Sequence, residues 1–168
     1  MQHTHYTSEF KPQQFPIVLV CDAISNAANV GSLFRVADAF GVEKLIFCGD
    51  NFNLGRRYKK TSRSTEKYVN YGIENNSLHV LEDLKKQGYM LIALEITESS
   101  QPISKLKITE QPVALVVGNE ITGISNNVLE FVDDTFHINM YGHNSSMNVT
   151  QATSVALYEL TKQMGNCK

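Results

Sequence analysis

Three stretches place carboxamide, carboxylate, guanidinium and hydroxyl groups where an apolar run gives way to a helical pattern. In the first, Asn26-Ala27-Ala28-Asn29-Val30-Gly31-Ser32-Leu33-Phe34-Arg35 follows an apolar run. Asn29 can cap the helix, and Gly31 lets a ligand approach the main chain. Arg35 brings a cation to the second turn. An anion there would meet both a guanidinium and the positive end of a helix; alternatively, Arg35 is a surface residue of an amphipathic helix. The second stretch, Leu115-Val116-Val117-Gly118-Asn119-Glu120-Ile121-Thr122-Gly123-Ile124, reads as a strand and a tight turn where a planar ligand touches main chain. Glu120 could orient a backbone amide or a ligand hydroxyl, or be a solvated turn carboxylate. This is neither the GxGxxG dinucleotide fingerprint nor the GxxxxGK[ST] phosphate loop. The third stretch runs from Ile138 through Ser145-Ser146-Met147-Asn148 to Ala152. Ser146 or Asn148 can cap the helix that follows, and Ala152, Thr153, Ser154 and Ala156 give that helix a small-residue face suited to close packing, as against a partner subunit.

The elements that must position these groups alternate. Pro16–Asp22, Lys44–Cys48, Tyr89–Glu95, Val113–Val117 and Thr135–Ile138 read as strands. Asn29–Phe40, stopped by Gly41, Ser77–Gln87, stopped by Gly88, a short Ser125–Phe131 capped by Ser125, and Asn148–Gln163 read as helices. Gly49–Thr65 is polar and basic and reads as a long loop. Strands alternating with helices predict an α/β fold with a mostly parallel sheet covered on both faces. Short connections over 168 residues predict a single domain, 1–168, with 1–15 a flexible or loosely packed leading segment. The pattern fits flavodoxin-like and Rossmann-type sheets alike, and fold alone does not give function.

Composition narrows the class. A hydrophobic content of 42% supports a real core. The longest apolar runs, Ile17–Cys21 and Val113–Val117, fall far short of the ~20 residues of a membrane span, and the first residues lack the basic start and apolar stretch of a secretory signal. A cytoplasmic protein without membrane association is expected. Cys21, Cys48 and Cys167 form no CxxC pair, and no histidine stands near them at metal-ligand spacing. Buried thiols are expected at Cys21 and Cys48, a mobile terminus at His3 and His5, and packing or surface roles at His79 and His137. The net charge of −2 does not advertise nucleic-acid binding, but Arg56, Arg57, Lys59, Lys60, Arg63 and Lys67 cluster against Glu66 alone. Such a run is either a solvated loop or a binding surface for RNA phosphates.

Taken together, "NVGSLFRVADAFG", "LVVGNEITGIS" and "SSMNVTQATSVALYE" resemble, in order and wording, the three motifs of the SpoU/TrmH family of RNA 2′-O-ribose methyltransferases, from about Pro16 to the last helix. The resemblance implies the SPOUT fold with a deep C-terminal trefoil knot, S-adenosyl-L-methionine as cofactor, and a homodimer to which the last helix contributes. By motif position it implies a polar catalytic set of Asn29, Arg35, Glu120, Ser146 and Asn148. It implies cofactor contacts at Gly118, Ile138 and Met147, with Leu94 a further one. Asn139 stands where proline is common, Met147 where leucine is, and Val36 where threonine is frequent. Thr61–Val69 resembles the corresponding region of enzymes that methylate guanosine in the tRNA D-loop, whereas the short leading segment resembles members acting on the tRNA wobble nucleotide. tRNA is thus expected ahead of rRNA, with Arg56, Arg57, Lys59, Lys60 and Arg63 on its phosphates. An RNA-binding module with a decayed site and a nucleotide-binding flavodoxin-like protein are the rival readings.

Overall fold

A computed structural model describes residues 11–50, 52 and 57–166, with only the backbone at 57–59 and 166. Its strands are β1 (Phe15–Asp22), β2 (Val42–Cys48), β3 (Tyr71–Glu74), β4 (Met90–Leu94), β5 (Gln101–Pro102), β6 (Val113–Val117) and β7 (Asp134–His137). Its helices are α1 (Ala27–Ala39), α2 (Arg57–Ser62), α3 (Ser77–Lys86), α4 (Asn126–Phe131) and α5 (Val149–Asn166). All seven strands are parallel and stand in the order β3-β2-β1-β6-β4-β7-β5.

The central strands carry unbroken apolar runs because both of their faces are covered. Ile17, Leu19 and Cys21 point toward α1 and α5, where Leu33, Phe34, Ala37, Ala156, Leu157 and Leu160 complete one core. Val18 and Val20 point the other way, against Leu81, Leu84 and Val128 of α3 and α4. The chain winds outward from β1 to β3, then crosses to build the other half from β4 onward. Loops after β1 and β6 therefore diverge at the reversal of strand order, and a parallel sheet brings every strand's C-terminal end to one edge. That is where open α/β sheets hold ligands.

Most expected elements form with ends shifted by a residue or two. Gly41 and Gly88, the expected helix stops, have φ of +59° and +86°. The Gly49–Thr65 segment departs from expectation: instead of one long loop, it contains α2 and is followed by a 3₁₀ turn at Thr65–Lys67. Arg-Tyr-Lys-Lys-Thr-Ser has no apolar stripe to announce a helix; its fully buried Ser62 and the Val69 just beyond anchor this region to the body of the protein. The edge strands β3 and β5 were not expected either, being short and largely exposed and lacking the two-sided burial that writes an apolar run.

Candidate active site

The start of α1 corrects one expectation. Asn26, not Asn29, caps the helix, its Oδ1 accepting from the amides of Ala28 at 2.9 Å and Asn29 at 3.4 Å. Asn29 is thereby placed inside the first turn, buried, with its side chain free to span two other loops. Its Nδ2 donates to Glu120 Oε1. Its Oδ1 accepts from Asn148 Nδ2 at 3.0 Å. Asn148 Oδ1 in turn accepts from the Thr150 amide at 2.9 Å and from the Thr150 hydroxyl, closing the N-terminus of α5. One relay, Glu120–Asn29–Asn148, thus ties together the loops after β1, β6 and β7. The carboxylate accepts only, so the central amide must present its N–H₂ to Glu120 and its oxygen to Asn148.

Beside the relay lies a cleft of about 510 Å³. Leu94, Gly118, Ile138 and Met147, the expected cofactor contacts, all line it, as do Glu120, Ser146 and Asn148. Its β6 wall is a compact turn. Asn119 Oδ1 accepts from the Ile121 and Thr122 amides at 2.8 and 3.2 Å, while Asn119 Nδ2 donates to the Ala23 carbonyl at 2.7 Å. Asn119 and Gly123 also pair through their main chains. The turn returns so closely over Gly118 that a Cβ there would stand 2.4 Å from Gly123 C and Ile124 N.

Two residues in or near this region, Glu95 and Asp22, are not singled out by the sequence, and a third, His137, is expected there only in a packing or surface role. Glu95 lines the cleft and accepts from the Ile96 and Ile124 amides at 2.9 and 3.1 Å. His137 lines it too, with Nδ1 2.9 Å from Ser100 Oγ and Nε2 3.2 Å from Asn139 Oδ1. Asp22, buried, accepts from Ser77 Oγ and from the Ser125 amide and hydroxyl. Ser125 occupies the cap position of α4 as expected, yet its hydroxyl goes to Asp22 and makes no cap bond. Both acids stand at the C-terminal end of an apolar strand, the one signal in the sequence that could have marked them.

Arg35 is not brought into the cleft. It is exposed on α1 and lines a separate recess of about 340 Å³ between α1 and α5, with Ser32, Thr150, Gln151 and Ser154. It makes no hydrogen bond or ion pair with the described residues. Of the cationic segment, Arg56 and the side chains of Arg57 and Lys59 lie outside the described residues, while Lys60, Arg63 and Lys67 are exposed. Cys167, His3 and His5 also lie outside them. Cys21 and Cys48 are buried free thiols. Burial pushes Cys48 up to about 11 and Cys21 well above the usual thiol range. Among the described residues no helix is long and apolar enough to cross a membrane.

A doubly covered parallel sheet with a cleft at its strand ends, a polar relay beside it and an arginine on the adjoining surface is the arrangement in which α/β proteins hold small-molecule ligands. The chain belongs to the SpoU rRNA methylase family, whose model matches residues 16–158. It is 28% identical over 151 residues to a tRNA (guanosine(18)-2′-O)-methyltransferase of Aquifex aeolicus, covering 90% of this chain and 71% of that protein. It is 31% identical over 152 residues to a 23S rRNA (guanosine-2′-O-)-methyltransferase of Haemophilus influenzae, covering 90% of this chain and 61% of the relative. The A. aeolicus TrmH/SpoU tRNA modifying enzyme superposes with a TM-score of 0.83 at 28% identity, over 93% of this chain and 79% of that one. The SpoU methyltransferase AviRb of Streptomyces viridochromogenes, in complex with AdoMet, superposes with a TM-score of 0.80 at 25% identity, over 91% and 62%.

Proposed function

We propose that this chain transfers a methyl group from S-adenosylmethionine to a ribose 2′-hydroxyl of RNA, tRNA in preference to rRNA, and does so as a homodimer. The observation that carries the reading is the Glu120–Asn29–Asn148 relay, which joins all three motif loops beside one cleft. The cleft fits the cofactor. Its volume falls within the ~300–1,000 Å³ of small-molecule sites. Its walls combine apolar Leu94, Ile138 and Met147 with the main chain of the compact turn that starts at Gly118, suited to a planar base, and the carboxylates of Glu95 and Glu120 suit a cationic ligand.

When bound, the cofactor supplies a methyl group already made electrophilic by its sulfonium centre, so the protein's work is alignment and charge stabilisation. Leu94, Gly118, Ile138 and Met147 would hold it. Asn29, Ser146 and Asn148 would set the ribose in register, with the relay fixing which face of the Asn29 amide is presented. A guanidinium offers donors and no acceptor, so Arg35 is not suited to serve as the base. Its role is to stabilise negative charge developing on the 2′-oxygen and to hold the neighbouring phosphate. The exposed cations Lys60 and Arg63, with Arg56, Arg57 and Lys59, would meet phosphates farther along.

The A. aeolicus relative supports tRNA as substrate. The small-residue face of α5 supports the dimer, which light scattering at micromolar concentration checks: a monomer mass would refute it. The reaction is tested by incubating the protein with labelled S-adenosylmethionine and either unmodified tRNA or rRNA, then analysing nucleosides. A 2′-O-methylated nucleoside from tRNA is expected. Product from rRNA alone would overturn the tRNA preference. A base-methylated nucleoside, or no product from either RNA, would overturn the reaction.

A further inference from the structure

The wall of the cleft built by residues 118–125 is held by side chains from both strands that flank β6. In the sheet, β6 lies between β1 and β4. Val117, its last residue, pairs with Cys21 on one side and Leu94 on the other. The next residue on each side is an acid, so Asp22 and Glu95 stand level with Gly118. Cys21, Leu94 and Val117 all belong to the α1/α5 core, so by strand alternation the residue after each points to the opposite, α3/α4 face. There the chain folds back over Gly118 and delivers two consecutive amides to the two acids: Ile124 N to Glu95 Oε2 at 3.1 Å and Ser125 N to Asp22 Oδ2 at 2.9 Å. The Ser125 hydroxyl adds a third bond, to Asp22 at 2.8 Å. Glu95 also presses against Gly123, where a Cβ would lie 2.6 Å from its Oε2.

We infer that Asp22 and Glu95 are positioning residues for cofactor binding, a two-sided carboxylate clamp that fixes the returning half of the 118–125 turn. The inference rests on the reading of this cleft as the S-adenosylmethionine site. Charged acceptors suit the task because hydrogen bonds to a carboxylate are roughly twice as strong as neutral ones, and Asp22 ends, and Glu95 directly follows, a strand already locked in the sheet. The clamp acts through the turn, so losing it lowers cofactor affinity and leaves the RNA-facing surface of α1 and α2 as it was.

The test uses the full chain carrying Glu95→Ala, Glu95→Gln, Ser125→Ala or Asp22→Ala, with two readouts. Amide hydrogen exchange at Ile124 and Ser125 is measured without ligand. Calorimetric titrations are run with S-adenosylmethionine and, separately, with tRNA. In Glu95→Ala the Ile124 amide should exchange about tenfold faster or more, and S-adenosylmethionine affinity should fall by about tenfold, on the scale of one charge-assisted bond removed. tRNA affinity should stay at the parent value. Gln keeps one acceptor oxygen and should restore most of the loss. Ser125→Ala should shift cofactor affinity in the same direction by less, and it reads the Asp22 arm even where Asp22→Ala does not fold. Unchanged exchange at Ile124 and Ser125 overturns the clamp. Faster exchange with parent-like cofactor affinity, or equal losses for cofactor and tRNA, overturns its role in cofactor positioning. If exchange responds as expected but the parent protein does not bind S-adenosylmethionine, the clamp on the turn stands and the assignment of the cleft falls.

Discussion

Gly118→Ala is the substitution whose consequence follows most directly from the geometry. The added methyl would stand 2.4 Å from Gly123 C and Ile124 N and 2.7 Å from Gly123 O, all main-chain atoms that cannot swing aside. Ordinary carbon contacts begin near ~3.5 Å, so the returning half of the turn must retreat by about 1 Å. That retreat stretches the Ile124 amide's bond to Glu95 and the Asn119–Gly123 main-chain pair. Breaking the neutral main-chain pair costs roughly 0.5–1.5 kcal/mol net per bond and breaking the bond to the carboxylate roughly 1.5–3 kcal/mol, and overpacking a closely packed site costs about 1–3 kcal/mol. In the proposed function this turn is also the wall against which the cofactor would lie. A displacement of ~1 Å at such a wall can cost about a hundredfold in function. Calorimetric titration with S-adenosylmethionine should therefore show affinity lower by about tenfold to a hundredfold, or about 1.4–2.7 kcal/mol. The control is Gly142→Ala, in the exposed loop after β7, where an added methyl meets nothing within 4 Å. Gly118→Ala binding the cofactor as tightly as the Gly142→Ala control would refute the assignment of this turn as the cofactor wall.

Arg35→Ala should abolish methyl transfer while leaving S-adenosylmethionine affinity at the parent value, because Arg35 lies outside the cleft; parallel loss of cofactor binding would show that it is misplaced. Replacing Arg56, Arg57, Lys59 and Lys60 together by alanine should weaken RNA binding and flatten its salt dependence, by ~0.7–0.9 in the logarithmic slope for each phosphate no longer neutralised. A salt titration giving the parent slope would mean that these cations only solvate their segment. With its pKa at about 11 through burial, the Cys48 thiol is almost wholly protonated at pH 8. Alkylation at pH 8, mapped by mass spectrometry, should therefore modify Cys21 and Cys48 only after denaturation, and rapid labelling of either in the native protein would contradict its buried placement.

What the sequence determined by itself was the local chemistry and the layering. Ile17–Cys21 and Val113–Val117 read as strands covered on both faces, because they are short, rich in β-branched residues and unbroken by the polar positions a wet face would require. The three motif loops were legible because they join such strands to helical patterns, and polar residues at those junctions face no core. Tertiary structure decided everything that depends on which strand lies beside which. Asn29 reads as a cap from the sequence, but the helix starts at Ala27 with Asn26 as its cap, and only the approach of Glu120 and Asn148 from distant segments makes Asn29 the centre of a relay. Asp22 and Glu95 look like ordinary strand-end acids until β6 is inserted between β1 and β4, which turns them into neighbours on either side of Gly118. Helix α2 and strand β3 have no periodic pattern of their own and form against α1 and β2. The relay and the bonds from the 118–125 turn to Asp22 and Glu95 result from strand order, and strand order is set by the packing of whole faces, a long-range property that no window of residues carries.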